Sequence, residues 1–260
     1  MSTRQAAVAG YFYDADASRL QQHIEQLLSS VTEPPEAFPR ALIVPHAGYI
    51  YSGSTAAHAY RCLLTDPDRV KRVLLIGPAH RVYLKGMAIP AVDRFATPLG
   101  EVPLDRDALE QIEKLPGMQV SDEAHRDEHS LEVQLPFLQS VLNEFTLVPV
   151  VVGGVTADQV AAVIDALAED PHTLVVISSD LSHFLGYRDA QQIDAATCEH
   201  ILEKSTGLSG EQACGARAIN GLMASAKAAS LEVSLLHACN SGDTAGTPNR
   251  VVGYAAFALH

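Results

Sequence analysis

The sequence predicts an α/β fold, a three-layer α/β/α arrangement around a mixed, mostly parallel central sheet. Three observations carry this. Short runs of Val, Ile and Leu alternate with amphipathic segments along the chain. The run Val73–Ile76 shows no polar alternation, which is the mark of a strand buried on both faces. Four apolar runs end in polar or metal-capable residues, and an open α/β sheet gathers such ends in the crevice outside the carboxyl ends of its strands.

The elements follow in order. Val8–Asp14 (VAGYFYD) is an aromatic opening segment suited to packing on the sheet. Asp16 or Ser18 can cap a helix over about 18–30, because Leu20, Ile24, Leu27 and Leu28 recur at helical spacing. Thr32–Pro39 holds three prolines and reads as a loop. Ala41–Val44 is the first buried strand, broken at Pro45. A helix over Ser54–Leu64 is expected next, capped by Ser52 or Ser54. Arg72–Ile76 is a strand, and Gly86–Pro90 and Phe95–Pro98 read as short strands or edge loops. Asp105–Lys114 is a helix. The polar stretch Glu123–Glu132 leads into a helix over Leu131–Leu142, with Pro136 in its first turn or at a kink. Phe145–Val152 and Thr173–Ile177 are strands flanking a helix over Thr156–Ala168. Tyr187–Glu203 and Glu211–Ala228 are helices, and Leu231–His237 and Val251–Leu259 close the chain as strands.

The chain has 260 residues with no convincing linker, so one domain over 1–260 is expected. Its apolar content of 47% suits a real core. A net charge of −13 argues against sequence-independent nucleic-acid binding, which needs a basic footprint, and gives no support for docking on an anionic membrane. Four cysteines without CxxC spacing predict a reduced, cytoplasmic setting. The opening residues show no signal-peptide h-region, and no apolar run approaches the roughly 20 residues of a membrane span.

The chemistry lies at the strand ends. His46 follows the first strand and His80 the second, each beside glycine or proline. Neutral imidazole is the commonest protein metal ligand, and two histidines with one carboxylate make the facial set of non-haem Fe(II) sites. His183, in SSDLSHF, suits general acid/base work, and Asp180 can orient it or a ligand. A single histidine after a strand is more often structural; three after three strands point to function. His125 and His129 are four apart, a spacing that can ligate zinc if the stretch is helical, yet HRDEH is not the HExxH metalloprotease pattern. Glu128, His129 and Glu132 precede a packed helix and can line the site, with His129 a candidate catalytic residue beside His183 and Asp180. Cys62, Cys198 and Cys214 read as inert helix residues, whereas Cys239, before Asn240-Ser241-Gly242-Asp243 in an expected turn, is a candidate ligand or reactive thiol. Phosphate-binding glycine motifs and the GxSxG elbow are absent.

At these residues the chain resembles a known family. VAGYFYDAD, VPHAGYIYSG, IGPAH, DEHSLEVQLPFLQ, ISSDLSHF, NSGD and VVGYAAFAL occur in the order seen in the Memo-like family, whose bacterial members are called AmmeMemoRadiSam system protein B. The resemblance implies a fold of the class III extradiol dioxygenase (LigB-like) type. It implies His46 and His80 as metal ligands and His183 as the acid/base histidine. For the third ligand it points to Asp243, with Cys239 as the alternative. Imidazole and carboxylate suit Fe(II), while a thiolate moves the preference toward copper or zinc. The animal relative is described as a signalling adaptor and as a copper- or iron-binding redox protein. The bacterial family name implies association with an AMMECR-type protein and a radical SAM protein.

Overall fold

The computed structural model describes residues 2–32 and 37–260; residues 33–36, in the middle of the loop expected over Thr32–Pro39, lie outside them. A two-residue strand, β1 (Thr3–Arg4), opens the chain and is followed by helix α1 (Ala17–Ser29). Asp16 caps α1 by accepting from Arg19 N, and Leu20, Ile24 and Leu28 form its buried stripe. Strand β2 (Ala41–Val44) is buried along its whole length. Helix α2 (Tyr49–Arg61) begins five residues before the expected Ser54 and carries no side-chain cap at Gly48. Its free Tyr49 N–H donates to Phe12 O at 2.8 Å, so the opening segment satisfies an amide that a serine cap would otherwise serve.

Strands β3 (Arg72–Pro78), β4 (Met87–Ile89), β5 (Arg94–Thr97) and β6 (Gly100–Pro103) come next, then helix α3 (Arg106–Glu113), strand β7 (Met118–Val120) and the short helix α4 (Asp122–Arg126). The helix expected over Leu131–Leu142 is shorter: a 3₁₀ turn at Glu132–Gln134 precedes α5 (Leu135–Val141), and Pro136 occupies the first turn, where its missing N–H costs nothing. Strand β8 (Thr146–Val152), helix α6 (Ala157–Leu167), strands β9 (Thr173–Ser178) and β10 (His183–Leu185), and helix α7 (Tyr187–Leu202) follow.

Two expectations near the end need correction. The helix expected over Glu211–Ala228 is divided into α8 (Ala216–Ala224) and α9 (Ala226–Ala229), because Ser225 adopts an extended backbone and caps α9 through its side chain. Cys214 therefore stands in the turn before α8. Strand β11 (Val233–Asn240) runs beyond the expected His237, so Cys239 is in a strand, paired with Tyr254 of β12 (Val251–Leu259).

Among the described residues, β1, β5 and β6 form a small sheet, and nine strands form the large one. Its path runs β10-β12-β2-β9-β3-β8-β4-β7, with β11 beside β12. The centre, β2-β9-β3-β8, is parallel. The expected "mostly parallel" sheet is thus mixed: β12 joins β2, and β4 joins β8, in antiparallel pairs, while β7 joins β4 in parallel at the edge. Helices flank the sheet in two groups, α1-α2-α5 and α3-α6-α8-α9, while α7 packs on β11 and β12. The core is the apolar lining between these layers, with Leu42, Leu74, Val150 and Val176 fully buried. No helix among the described residues is long and apolar enough to cross a membrane.

Candidate metal centre

Strands β2, β9 and β3 are adjacent and parallel, so their carboxyl ends open on one side of the sheet. Val44 pairs with Ser178 at that end, which places Pro45-His46 beside Ser178-Ser179-Asp180. His80 follows β3 by two residues. The loop between α4 and α5 brings His129. Gly77 lets that loop lie on β3: a Cβ there would meet Leu131 Cδ2 at 2.8 Å and Ser130 Oγ at 3.0 Å. Ser130 then fastens the loop by donating to Pro78 O at 2.9 Å.

His46, His80 and His129 converge, each offering a ring nitrogen within 4.8 Å of the others. Their hydrogen bonds fix which nitrogens are free. Ser178 Oγ donates its one proton to Ser130 O at 2.6 Å and accepts from Gln134 Nε2 at 2.9 Å. Toward His46 Nδ1, at 2.8 Å, Ser178 can therefore only accept, so Nδ1 carries the proton and Nε2 keeps its lone pair. Gln134 is itself held by Pro45 O and by the Tyr60 hydroxyl, so the network is complete and buried. His80 Nδ1 donates to Glu128 Oε1 at 3.0 Å, which leaves His80 Nε2 bare by the same logic. His129 Nδ1 lies 3.3 Å from Glu128 Oε1 yet is buried without a hydrogen-bond partner.

The electrostatics suit a cation. Burial, aided by the neighbouring His80 and His129, holds the His46 ring well below its ordinary pKa. Burial lowers His129 to about 4. Both rings are neutral at pH 7 and able to coordinate. Glu128 is buried, which raises its pKa, but the hydrogen bond and charge of His80 and the backbone N–H donors of His80 and Ser130 outweigh that and hold it at about 2. An ionised carboxylate thus sits behind the histidine group, an arrangement that fits a divalent metal. The orphaned His129 nitrogen fits the same conclusion.

Asp180 does not orient His183. Its Oδ1 accepts from His46 N at 2.7 Å, and burial raises its pKa to about 7 against the pull of that N–H. Asp180 shapes the His46 turn. His183 donates through Nδ1 to Leu181 O at 2.8 Å, so Nε2 is its proton-accepting nitrogen. Burial lowers its pKa. His183 and His80 line one cavity of about 770 Å³, together with Phe184, Ile193 and Cys214. Phe184 sits on the bulge between His183 and Leu185 with φ of 62°, under the Arg250 guanidinium at 4.7 Å from its ring centroid. A bulky residue in the left-handed region is held by its surroundings, and such positions cluster at functional sites.

Asp243 and Cys239, the expected third ligands, do not join the histidine group; its third member is His129. Asp243 caps a 3₁₀ turn over Ser241–Asp243 by accepting from Asn240 N at 2.9 Å, and also accepts from the Tyr187 hydroxyl. Cys239 Sγ and His237 Nδ1 both contact Thr55 Oγ1, at 3.2 and 3.0 Å, and the His237 ring stacks on His58. Glu132 turns from the centre to a buried ion pair with Arg4 at 2.6 Å and also accepts from the Tyr13 hydroxyl and the amides of Ala7 and Val8. His125 donates from Nε2 to Ala88 O at 2.9 Å. The sequence offered His129 as a catalytic candidate lining the site and as a zinc ligand paired with His125, whereas the structure groups it with His46 and His80. Its signal was a histidine beside an acid, in a polar stretch leading into a packed helix.

The profile of the family described as "Memo-like protein" matches residues 4–258. A "MEMO1 family protein" of Aquifex aeolicus is 34% identical over 98% of this chain and 98% of its own length. One from Sulfolobus acidocaldarius is 35% identical over 96% of this chain and 97% of its own. "Protein MEMO1" of Homo sapiens is 37% identical over 70% of this chain and 63% of its own. Among solved structures, an uncharacterized protein, JW3007, from Escherichia coli K12 superposes with a TM-score of 0.54 at 12% identity, covering 83% of this chain and 98% of that one. The last likeness is one of fold alone.

Proposed function

The chain belongs to the Memo-like family, and on that premise we propose that it is a metal-dependent oxidoreductase acting on a small chelating molecule, in the manner of non-haem iron enzymes of extradiol type. One observation carries the reading: three histidines converge beside a cavity that also holds a histidine suited to proton transfer. His46, His80 and His129 would hold the metal, with Glu128 and Ser178 fixing two of the rings. When bound, the metal supplies a Lewis-acidic, redox-capable centre with positions open to ligands.

The chain's own residues do the rest. His183, tied through Nδ1 to Leu181 O, takes a proton at Nε2 from a substrate hydroxyl or enol and returns it later. Burial keeps that ring neutral, hence ready to accept, at pH 7. Phe184, Leu185, Ile193 and Ala196 give the cavity an apolar wall that excludes water from the substrate's body.

Oxygen uptake by anaerobically prepared, iron-loaded protein tests the reading, using catechols and related enolisable chelators. Turnover in wild type, lost in His183→Ala while iron stays stoichiometric, is the expected result. Tight zinc with indifference to oxygen would instead support a zinc hydrolase, since three histidines also make a catalytic zinc set. Failure to retain any metal would favour a non-catalytic binding or adaptor role.

A further inference from the structure

We infer that Cys239 is a peroxide-reactive thiol, deprotonated by His237 through the hydroxyl of Thr55, and that a small hydroperoxide oxidises it to a sulfenic acid. The site is separate from the three-histidine centre and does not depend on a metal there.

Strand geometry brings the parts together. His237 and Cys239 stand two apart on β11, so their side chains share a face. Both reach Thr55, which α2 presents fully buried: its Oγ1 lies 3.2 Å from Cys239 Sγ and 3.0 Å from His237 Nδ1. A hydroxyl gives one proton and accepts another. With the thiol donating to Thr55 and Thr55 donating to His237 Nδ1, the three groups form one unbroken proton path. The His237 ring is kept in place by its stack on His58, with 4.3 Å between centroids and 16° between planes. His58 is fixed in turn by donating from Nδ1 to Ser54 O at 2.8 Å.

The other cysteines lack this path. Cys62 and Cys198 are buried, and burial pushes their thiols up to about 11 and about 12. Cys214 is half-buried but faces His46 Nε2, at 3.3 Å, so it belongs to the other region. Cys239 is half-buried, within reach of a small solute. Burial raises its thiol too, against the Thr55 hydrogen bond, so it rests protonated and needs a base at hand. Burial and the neighbouring His58 lower His237, so its ring is neutral at pH 7 and able to take the proton. A thiol of high pKa is the stronger nucleophile once that proton is gone.

The thiol proton moves to Thr55 Oγ1 as the Thr55 proton moves to His237 Nδ1. The sulfur electron pair attacks the terminal oxygen of the hydroperoxide, forming an S–O bond while the O–O bond breaks. The departing alkoxide, or hydroxide from hydrogen peroxide, takes the proton that His237 returns through Thr55. Sulfur is oxidised by two electrons and the peroxide is reduced by two, giving the sulfenic acid and an alcohol or water.

Dimedone trapping of the intact protein in hydrogen peroxide, with a chelator in the buffer and each cysteine read by peptide mass spectrometry, tests this. In wild type, Cys239 is expected to form the adduct about tenfold faster than Cys62 or Cys198. Thr55→Val keeps the shape and removes the hydroxyl, so the Cys239 rate should fall about tenfold while that of Cys214 holds. Thr55→Ser should recover the wild-type rate, which packing alone would not produce, since valine is the closer match in shape. His237→Gln should slow Cys239 to the same extent, and it covers the case in which Thr55→Val does not fold. An unreactive Cys239 in wild type would overturn the inference. A Cys239 rate unchanged in Thr55→Val or in His237→Gln would overturn it too, as would one that Thr55→Ser lowers as far as Thr55→Val does.

Discussion

Two regions of this chain carry metal-capable residues at the ends of strands, and only one of them gathers free donor atoms. At the carboxyl ends of β2 and β3, the side-chain bonds that fix the His46 and His80 rings are made at Nδ1, so their Nε2 atoms are left for the centre, with only the Cys214 thiol against that of His46 at 3.3 Å. At the end of β11, His237, Cys239 and Asp243 are spent on Thr55, Asn240 and Tyr187. The residue types are alike, and the difference lies in which atoms the neighbouring elements consume. A site is defined by what is left unbonded after the fold is satisfied.

That contrast predicts unequal costs of substitution. The largest falls beside the histidine region. Glu132→Ala leaves the Arg4 charge buried and should destabilise the protein by about 3–5 kcal/mol in urea unfolding. A cost below about 1 kcal/mol would mean that the opening segment is not anchored there.

The pH dependence sharpens the same point. Burial lowers His125 to about 4, against an unfolded value near 6.5. Its neutral ring therefore contributes stability that is full above about pH 6.5 and is lost as pH falls toward about 4, at up to about 1.4 kcal/mol per pH unit. Asp180, raised to about 7 by burial, works the other way: its share is full below about pH 4 and is lost as pH rises through 7. The His125→Gln variant isolates the first effect. Its unfolding free energy should fall less steeply than that of wild type between pH 6.5 and 4, and an unchanged slope would contradict the assignment.

Smaller effects discriminate further. Glu128→Gln removes the charge behind His80 and should weaken metal binding by roughly 10–100-fold in competition with a chelator. At the other region, Asp243→Ala removes a turn cap and should cost about 1 kcal/mol, with metal affinity unchanged. An equal loss of affinity in both variants would erase the distinction between the regions.

Much of this was legible in the sequence, for reasons that also mark where legibility ends. Ala41–Val44 and Val251–Leu259 are strands as expected, because continuous apolar runs between breakers leave few alternatives. His46 and His80 stood out because both follow buried parallel strands. The start of α2 was not legible, since Tyr49 N is satisfied by Phe12 O from 37 residues away in the chain. The convergence of His129 with His46 and His80 was not legible for the same kind of reason. The His129 loop reaches the centre only because Gly77 leaves room on β3, a long-range fit that no local spacing reveals. Asp243 stands apart from the histidine group because its own turn, with Asn240 as cap, consumes the carboxylate.

The most direct test is metal content after strictly anaerobic purification, comparing wild type, His46→Ala, His129→Ala and Asp243→Ala. Near-stoichiometric metal in wild type and Asp243→Ala, lost in both histidine variants, is the predicted outcome. Metal retained in His129→Ala and lost in Asp243→Ala would contradict the account and move the third ligand to the end of β11.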